Sequence, residues 1–114
     1  LNPPHWEFGH LIWFHEFWVH RKGLASHPSV LSQADSLFNS SEIFHDDRWQ
    51  AQIPSIDILT NYFSDVMERT FTILRSGSIS PEQAYFIQLA LYHQDMHNEA
   101  FAYNFLHSQL LNII

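Results

Sequence analysis

The chain's 114 residues suffice for one domain with one core. Because 46% of them are apolar and 16% aromatic, that core is large and ring-rich. A formal charge of −7, with only five Lys and Arg, excludes the basic face that nucleic acid or an anionic membrane demands of a partner. The absence of cysteine excludes disulfides, thiolate metal sites and a cysteine nucleophile.

The elements read as helices in chain order. Pro3 and Pro4 open the first, since proline is tolerated in the first turn. From Trp6 to Arg21 apolar residues stand at 6, 8, 11, 12, 13, 14, 17, 18 and 19. A helix this apolar all round is buried on several sides, and Gly23 is its expected stop. Residues 24 to 54 are mixed, with Pro28, Pro54, many serines and a short helix expected around Val30 to Phe38. A connection of that length often carries function.

Pro54-Ser55 then caps a second long helix. Ile56, Leu59, Phe63, Val66, Thr70, Ile73 and Leu74 give its repeat, and Arg75 and Gly77 close it. Ser80-Pro81-Glu82-Gln83 opens a third: a serine cap, proline at the first position, glutamine three after the cap. It is expected to reach about Ser108, with Phe86, Leu89, Ala90, His93, His97, Ala100, Phe101 and Asn104 near one face. No strand alternation and no internal repeat occur. The fold class is all-α, a four-helix bundle of which three long helices are present. The Leu1 start and the apolar end Leu110-Leu111-Asn112-Ile113-Ile114 suggest a piece of something longer. No apolar run approaches the roughly 20 residues of a membrane span, and no signal-peptide pattern is present. A cytoplasmic setting is the expectation.

The histidines carry the chemistry. His93 and His97 stand four apart, about one helical turn, so both imidazoles leave the same face. His10, on the first helix, is a third candidate. Three imidazoles from two helices make an open metal site. His5, His15, His20, His27 and His107 have no partner at ligand spacing and read as surface or satisfied polar positions. A zincin protease needs Glu directly after its first histidine, and Gln94 stands there instead. A carboxylate di-iron bundle needs Glu-x-x-His units on two of its helices; on the expected long helices only Glu7-Phe8-Gly9-His10 supplies one. Asp95 and Glu99 fall off the His93/His97 face.

Three separated blocks, in order, resemble one family. Asn2-Pro3-Pro4-His5-Trp6-Glu7-Phe8-Gly9-His10-Leu11-Ile12-Trp13-Phe14-His15-Glu16 resembles the segment around the first metal histidine of the ergothioneine-type sulfoxide synthases. Ser40-Ser41-Glu42-Ile43-Phe44-His45-Asp46-Asp47-Arg48-Trp49 is similar to the loop that follows in one branch. The stretch from Tyr85 to Ala100, with Tyr92-His93-Gln94-Asp95-Met96-His97, is similar to their second metal-binding helix. Within that family the blocks most resemble the selenoneine-synthase-like and uncharacterised branch.

The resemblance implies that residues 1–114 are a DinB-like metal-binding helical domain. It would lack its first helix and a C-terminal domain like that of formylglycine-generating enzyme. It further implies His10, His93 and His97 as ligands of a mononuclear non-haem Fe(II). The reaction would use O2 to join sulfur or selenium, from a thiol or selenium donor, to trimethylhistidine. This piece alone would be inactive. His45, Asp46 and Arg48 are candidates for bordering the pocket, with a carboxylate there orienting a ligand histidine; an ordinary solvated, ion-paired turn is the alternative. Two other functions stay open. One is a DinB-like hydrolase or thiol transferase holding Zn or Ni on the same histidines. The other is a metal-free helical interaction module whose histidines are satisfied by protein carbonyls and carboxylates.

Overall fold

The computed structural model describes the backbone of residues 2–113 and the side chains of residues 2–98. Ala100, Phe101, Asn104 and His107 therefore lie outside the described side chains. The chain is all-α, with four α-helices: α1 (Pro4–His15), α2 (Ala34–Phe38), α3 (Ile56–Arg75) and α4 (Pro81–Ile113). Among the described residues there is no strand, and no helix is long and apolar enough to cross a membrane.

Capping chemistry explains the starts. Pro4 opens α1 behind Pro3. The Ser55 hydroxyl accepts from the Ile58 amide at 3.3 Å. Before α4 the reciprocal box forms: Gln83 N donates to Ser80 Oγ and Ser80 N to Gln83 Oε1, each at 3.0 Å. Two otherwise orphaned amides are thereby satisfied. Replacing Ser80 by alanine is expected to cost about 1 kcal/mol, read as a lower urea midpoint with an unchanged slope. An unaltered midpoint would show that the box carries no stability.

The first helix does not run regularly to Arg21 as its apolar pattern suggests. After His15 it widens into a π-helical turn, Glu16–His20, in which Arg21 N donates to Glu16 O five residues back. Lys22 and Gly23 then take φ of 55° and 69°, and Gly23 N reaches Phe17 O at 2.8 Å. Glycine is required at 23 because Trp18 lies where its Cβ would point.

Helix α1 is the middle of the molecule. It touches α2, α3 and α4, and the wide turn touches α3 and α4, which is why α1 needs apolar side chains all round. Trp6, Ile12 and Trp13 from α1 pack with Ala34, Phe38, Leu59, Tyr62 and Val66 in the main core. Val19 joins Ile87 and Ala90 of α4. Each large side chain enclosed here contributes about 1.5–3 kcal/mol of burial.

The 24–54 connection is fastened at its first half by buried charge. Glu16, wholly enclosed, accepts from Ser29 Oγ at 2.5 Å, Tyr62 Oη at 2.7 Å and the Val30 amide at 2.9 Å. Arg21 grips Asp35 through two bonds of 2.6 and 2.7 Å, and Trp13 Nε1 donates to the same carboxylate at 2.8 Å. Buried charges are tolerated only when satisfied in this way.

Candidate metal centre

His10, His93 and His97 meet where α1 crosses α4. One nitrogen from each lies within 4.8 Å of the other two, the only such group of three or more potential ligands among the described residues. The imidazole centroids are 5.2 Å (His10–His93), 5.3 Å (His10–His97) and 4.3 Å (His93–His97) apart. His10 is buried, and the other two are half-buried.

Each ring is held from outside the cluster. His10 Nδ1 contacts the Phe38 carbonyl at 2.8 Å. A carbonyl only accepts, so Nδ1 carries the proton and Nε2 keeps its lone pair. The His10 ring also stacks with Trp6 (4.9 Å, 8°) and Trp13 (5.9 Å, 21°). His93 stacks on Phe14 at 3.7 Å. His97 Nδ1 contacts Glu7 Oε1. That residue stands three before His10, on the same face of α1.

A close approach at Gly9 makes the first of these possible. A Cβ there would overlap the Phe38 ring, so only glycine lets α2 come near enough for the Phe38 carbonyl to reach His10.

Electrostatics favour neutral imidazoles at His10 and His93. Burial pushes His10 below its ordinary 6.5, partly offset by the Phe38 carbonyl and reinforced by His97. His93 is pushed down to about 3, by burial first and then by His97 and His10. Neutral imidazole is the form that ligates metal.

The donor set fits a divalent transition ion. His93 Nε2 and His97 Nε2 are 3.0 Å apart. Two nitrogens each about 2.1 Å from one ion stand about 3.0 Å apart at a right angle. His93 Nδ1 is buried with no hydrogen-bond partner, while its Nε2 meets that of His97. Three imidazoles with nothing softer or harder among them suit Fe, Zn or Ni alike.

The loop candidates separate. His45 and Asp46 are exposed and face each other at 3.8 Å, a solvated pair of the kind worth little. Arg48 turns inward over the Trp6 ring at 4.2 Å. The carboxylate that touches a site histidine is Glu7, not Asp46. Its sequence signal was the Glu-x-x-His spacing, which puts it beside His10 without saying which other ring it meets. Asp95 is exposed, and Gln94 lines a separate cavity of about 250 Å³ with Phe8, Leu11, Phe63 and Met67, away from the three histidines.

His15 and His20, with no ligand spacing between them, share one hydroxyl: each Nε2 is 2.8 Å from Thr70 Oγ1. In a regular α-helix residues five apart point about 140° apart; the wide turn brings both to one point. Thr70 Oγ1 donates to the Val66 carbonyl at 3.3 Å, leaving its lone pairs to accept from the two rings. Burial holds both histidines down at about 4, whereas the unfolded chain protonates them near 6.5. Between pH 6.5 and 4 the unfolded state binds more protons, so stability is full above 6.5 and falls as pH drops through that window. A loss on the order of 3 kcal/mol, most of it from the more deeply buried His15 because solvent screens His20, is expected between pH 7.5 and 4.5 in urea unfolding and is reduced in His15→Gln. Greater stability at pH 4.5 would contradict the arrangement.

No protein-family model matches the chain, and no curated protein matches it significantly.

Proposed function

We propose that the chain is the metal-bearing helical domain of a non-haem Fe(II), O2-dependent enzyme that forms a C–S or C–Se bond on trimethylhistidine, working in the cytoplasm. The observation that carries this is the convergence of His10, His93 and His97. These are the three histidines to which the resemblance to the ergothioneine- and selenoneine-type synthases points, drawn together from two helices. A second domain, like that of formylglycine-generating enzyme, would close the site and supply substrate contacts.

His10, His93 and His97 would hold the ion through one nitrogen each. Fe(II) bound to three imidazoles offers open positions where O2 and a thiol or selenium donor can meet. The rest falls to the chain itself. The Phe38 carbonyl and the Glu7 carboxylate keep protons on the outward nitrogens of His10 and His97. Trp6 and Trp13 wall His10, and Phe14 walls His93, with apolar surface.

A Zn- or Ni-dependent hydrolase or thiol transferase would use the same donors, and ligand type does not separate the two. A metal-free module would use the Phe38 carbonyl, the Glu7 carboxylate and the His93–His97 contact as the partners of these rings, and a folded chain that binds none of the ions tested moves the function to it. The test is anaerobic titration with Fe(II), Zn(II) and Ni(II), followed by calorimetry of trimethylhistidine binding to the Fe(II)-loaded chain. One equivalent of Fe(II) and a measurable heat with trimethylhistidine support the proposal. Zn(II) retained with no Fe(II) bound moves the function to the hydrolase class.

A further inference from the structure

Around the three histidines runs a line of polar contacts in which the chemistry of each group dictates the direction of the next. Arg48 has donors only. Its Nη2 donates to the carbonyls of Ser40 and Ile43, each at 3.2 Å, and its Nη1 to Asn2 Oδ1 at 3.0 Å. With its oxygen taken, the Asn2 amide must present its nitrogen on the other side, and Nδ2 donates to Glu7 Oε2 at 2.9 Å. The second oxygen, Glu7 Oε1, is left facing His97 Nδ1. A carboxylate accepts, so His97 carries its proton at Nδ1. The lone pair is then at Nε2, the atom that faces His93.

We propose that Glu7, locked by Asn2 and Arg48, is a positioning residue that holds His97 in its Nδ1–H tautomer and strengthens Nε2 as a donor to a divalent transition-metal ion. The inference rests on the metal-binding reading above and adds to it a residue that is not a ligand. Glu7 is not in the group whose donor atoms converge, so its influence passes through the imidazole. A carboxylate behind a ligand imidazole fixes the ring's orientation and raises its basicity. Glu7 is enclosed, 6% exposed, so water does not compete for its oxygens. Arg48 reaches the centre by a second route as well: its guanidinium lies over Trp6, whose ring lies on His10. One loop cation thus braces two of the three histidines.

The test has two readouts. Nitrogen–proton correlation spectra of the metal-free chain report the His97 tautomer directly. Titration with Co(II), followed by its visible absorption, reports the affinity and field of the donors. The parent is expected to show His97 as Nδ1–H and to bind one Co(II). Glu7→Ala is expected to mix the tautomers and weaken Co(II) binding 10- to 100-fold, the usual cost of losing an outer partner. Glu7→Gln keeps an acceptor oxygen and the side-chain volume. It should recover most of the tautomer and part of the affinity with a shifted Co(II) band, and it keeps the proposal testable if Glu7→Ala does not fold. Arg48→Ala should fall between the parent and Glu7→Ala in both readouts. A folded Glu7→Ala with His97 still Nδ1–H and parental affinity overturns the proposal while leaving the metal site standing. A parent that is Nδ1–H but binds no Co(II) overturns the metal-binding reading and, with it, the donor role given to Glu7.

Discussion

Alanine at His93 is expected to reduce Fe(II) binding by more than ~100-fold, because loss of even an outer partner of a ligand costs 10- to 100-fold and in the proposed site His93 would contribute a donor atom itself. His97→Ala should do the same, and so should His10→Ala. The three substitutions differ in what they leave behind. His10→Ala removes the imidazole from the Phe38 carbonyl, and His97→Ala leaves Oε1 of the enclosed Glu7 without its imidazole while Oε2 keeps Asn2; an unpaired buried acceptor costs about 1–3 kcal/mol, more when charged. His93 has only a stacking neighbour, Phe14, behind it and no partner at Nδ1. His93→Ala is therefore the cleanest probe, expected to lose metal with the smallest loss of stability. Anaerobic titration beside a thermal melt reads both quantities. One equivalent of Fe(II) still held by a folded His93→Ala would remove the site.

The second large effect lies at a residue that touches no metal. Gly9→Ala would place a methyl inside the Phe38 ring, and Phe38 is completely enclosed, with no room to retreat. Overpacking of this kind costs about 3 kcal/mol, or roughly 10–20 °C of melting temperature for a domain of this size. Because Phe38 also lends its carbonyl to His10 Nδ1, the strain should reach the three-histidine cluster, and on the proposed reading Fe(II) affinity should fall as well. Trimming the ring supplies the control. Phe38→Leu in the Gly9→Ala background should regain part of the stability that Gly9→Ala loses. A Gly9→Ala chain melting with the parent would show that α1 and α2 are not in close contact at this point.

The helices and the His93/His97 pair were legible in the chain because the forces behind them are local. Ser55, the Ser80–Gln83 box, Gly23 and Gly77 act on amides or backbone angles within a few residues. The four-residue spacing of His93 and His97 acts within one turn of α4. The uniform apolarity of α1 likewise announced a helix enclosed on several sides. It could not announce the wide turn at Glu16–His20. The pattern there reads as ordinary helix, and what gathers His15 and His20 is a hydroxyl 50 and 55 residues away. Glu7 was visible as half of a di-iron motif but not as the partner of a histidine 90 positions on. His45, Asp46 and Arg48, equivalent on paper, part company because only Arg48 finds a ring and an amide to turn toward.

What remained for the tertiary structure was therefore direction rather than identity. The sequence names imidazoles, carboxylates and carbonyls, and their spacing along a helix assigns each to a face. Which nitrogen of a ring keeps its lone pair depends on the group that occupies the other nitrogen. For His10 that group is a backbone carbonyl 28 residues away, and for His97 a carboxylate from the opposite end of the chain. Such contacts form only when α1, α2 and α4 have packed, since hydrogen-bond geometry is set by distances between helices and not by periodicity within one.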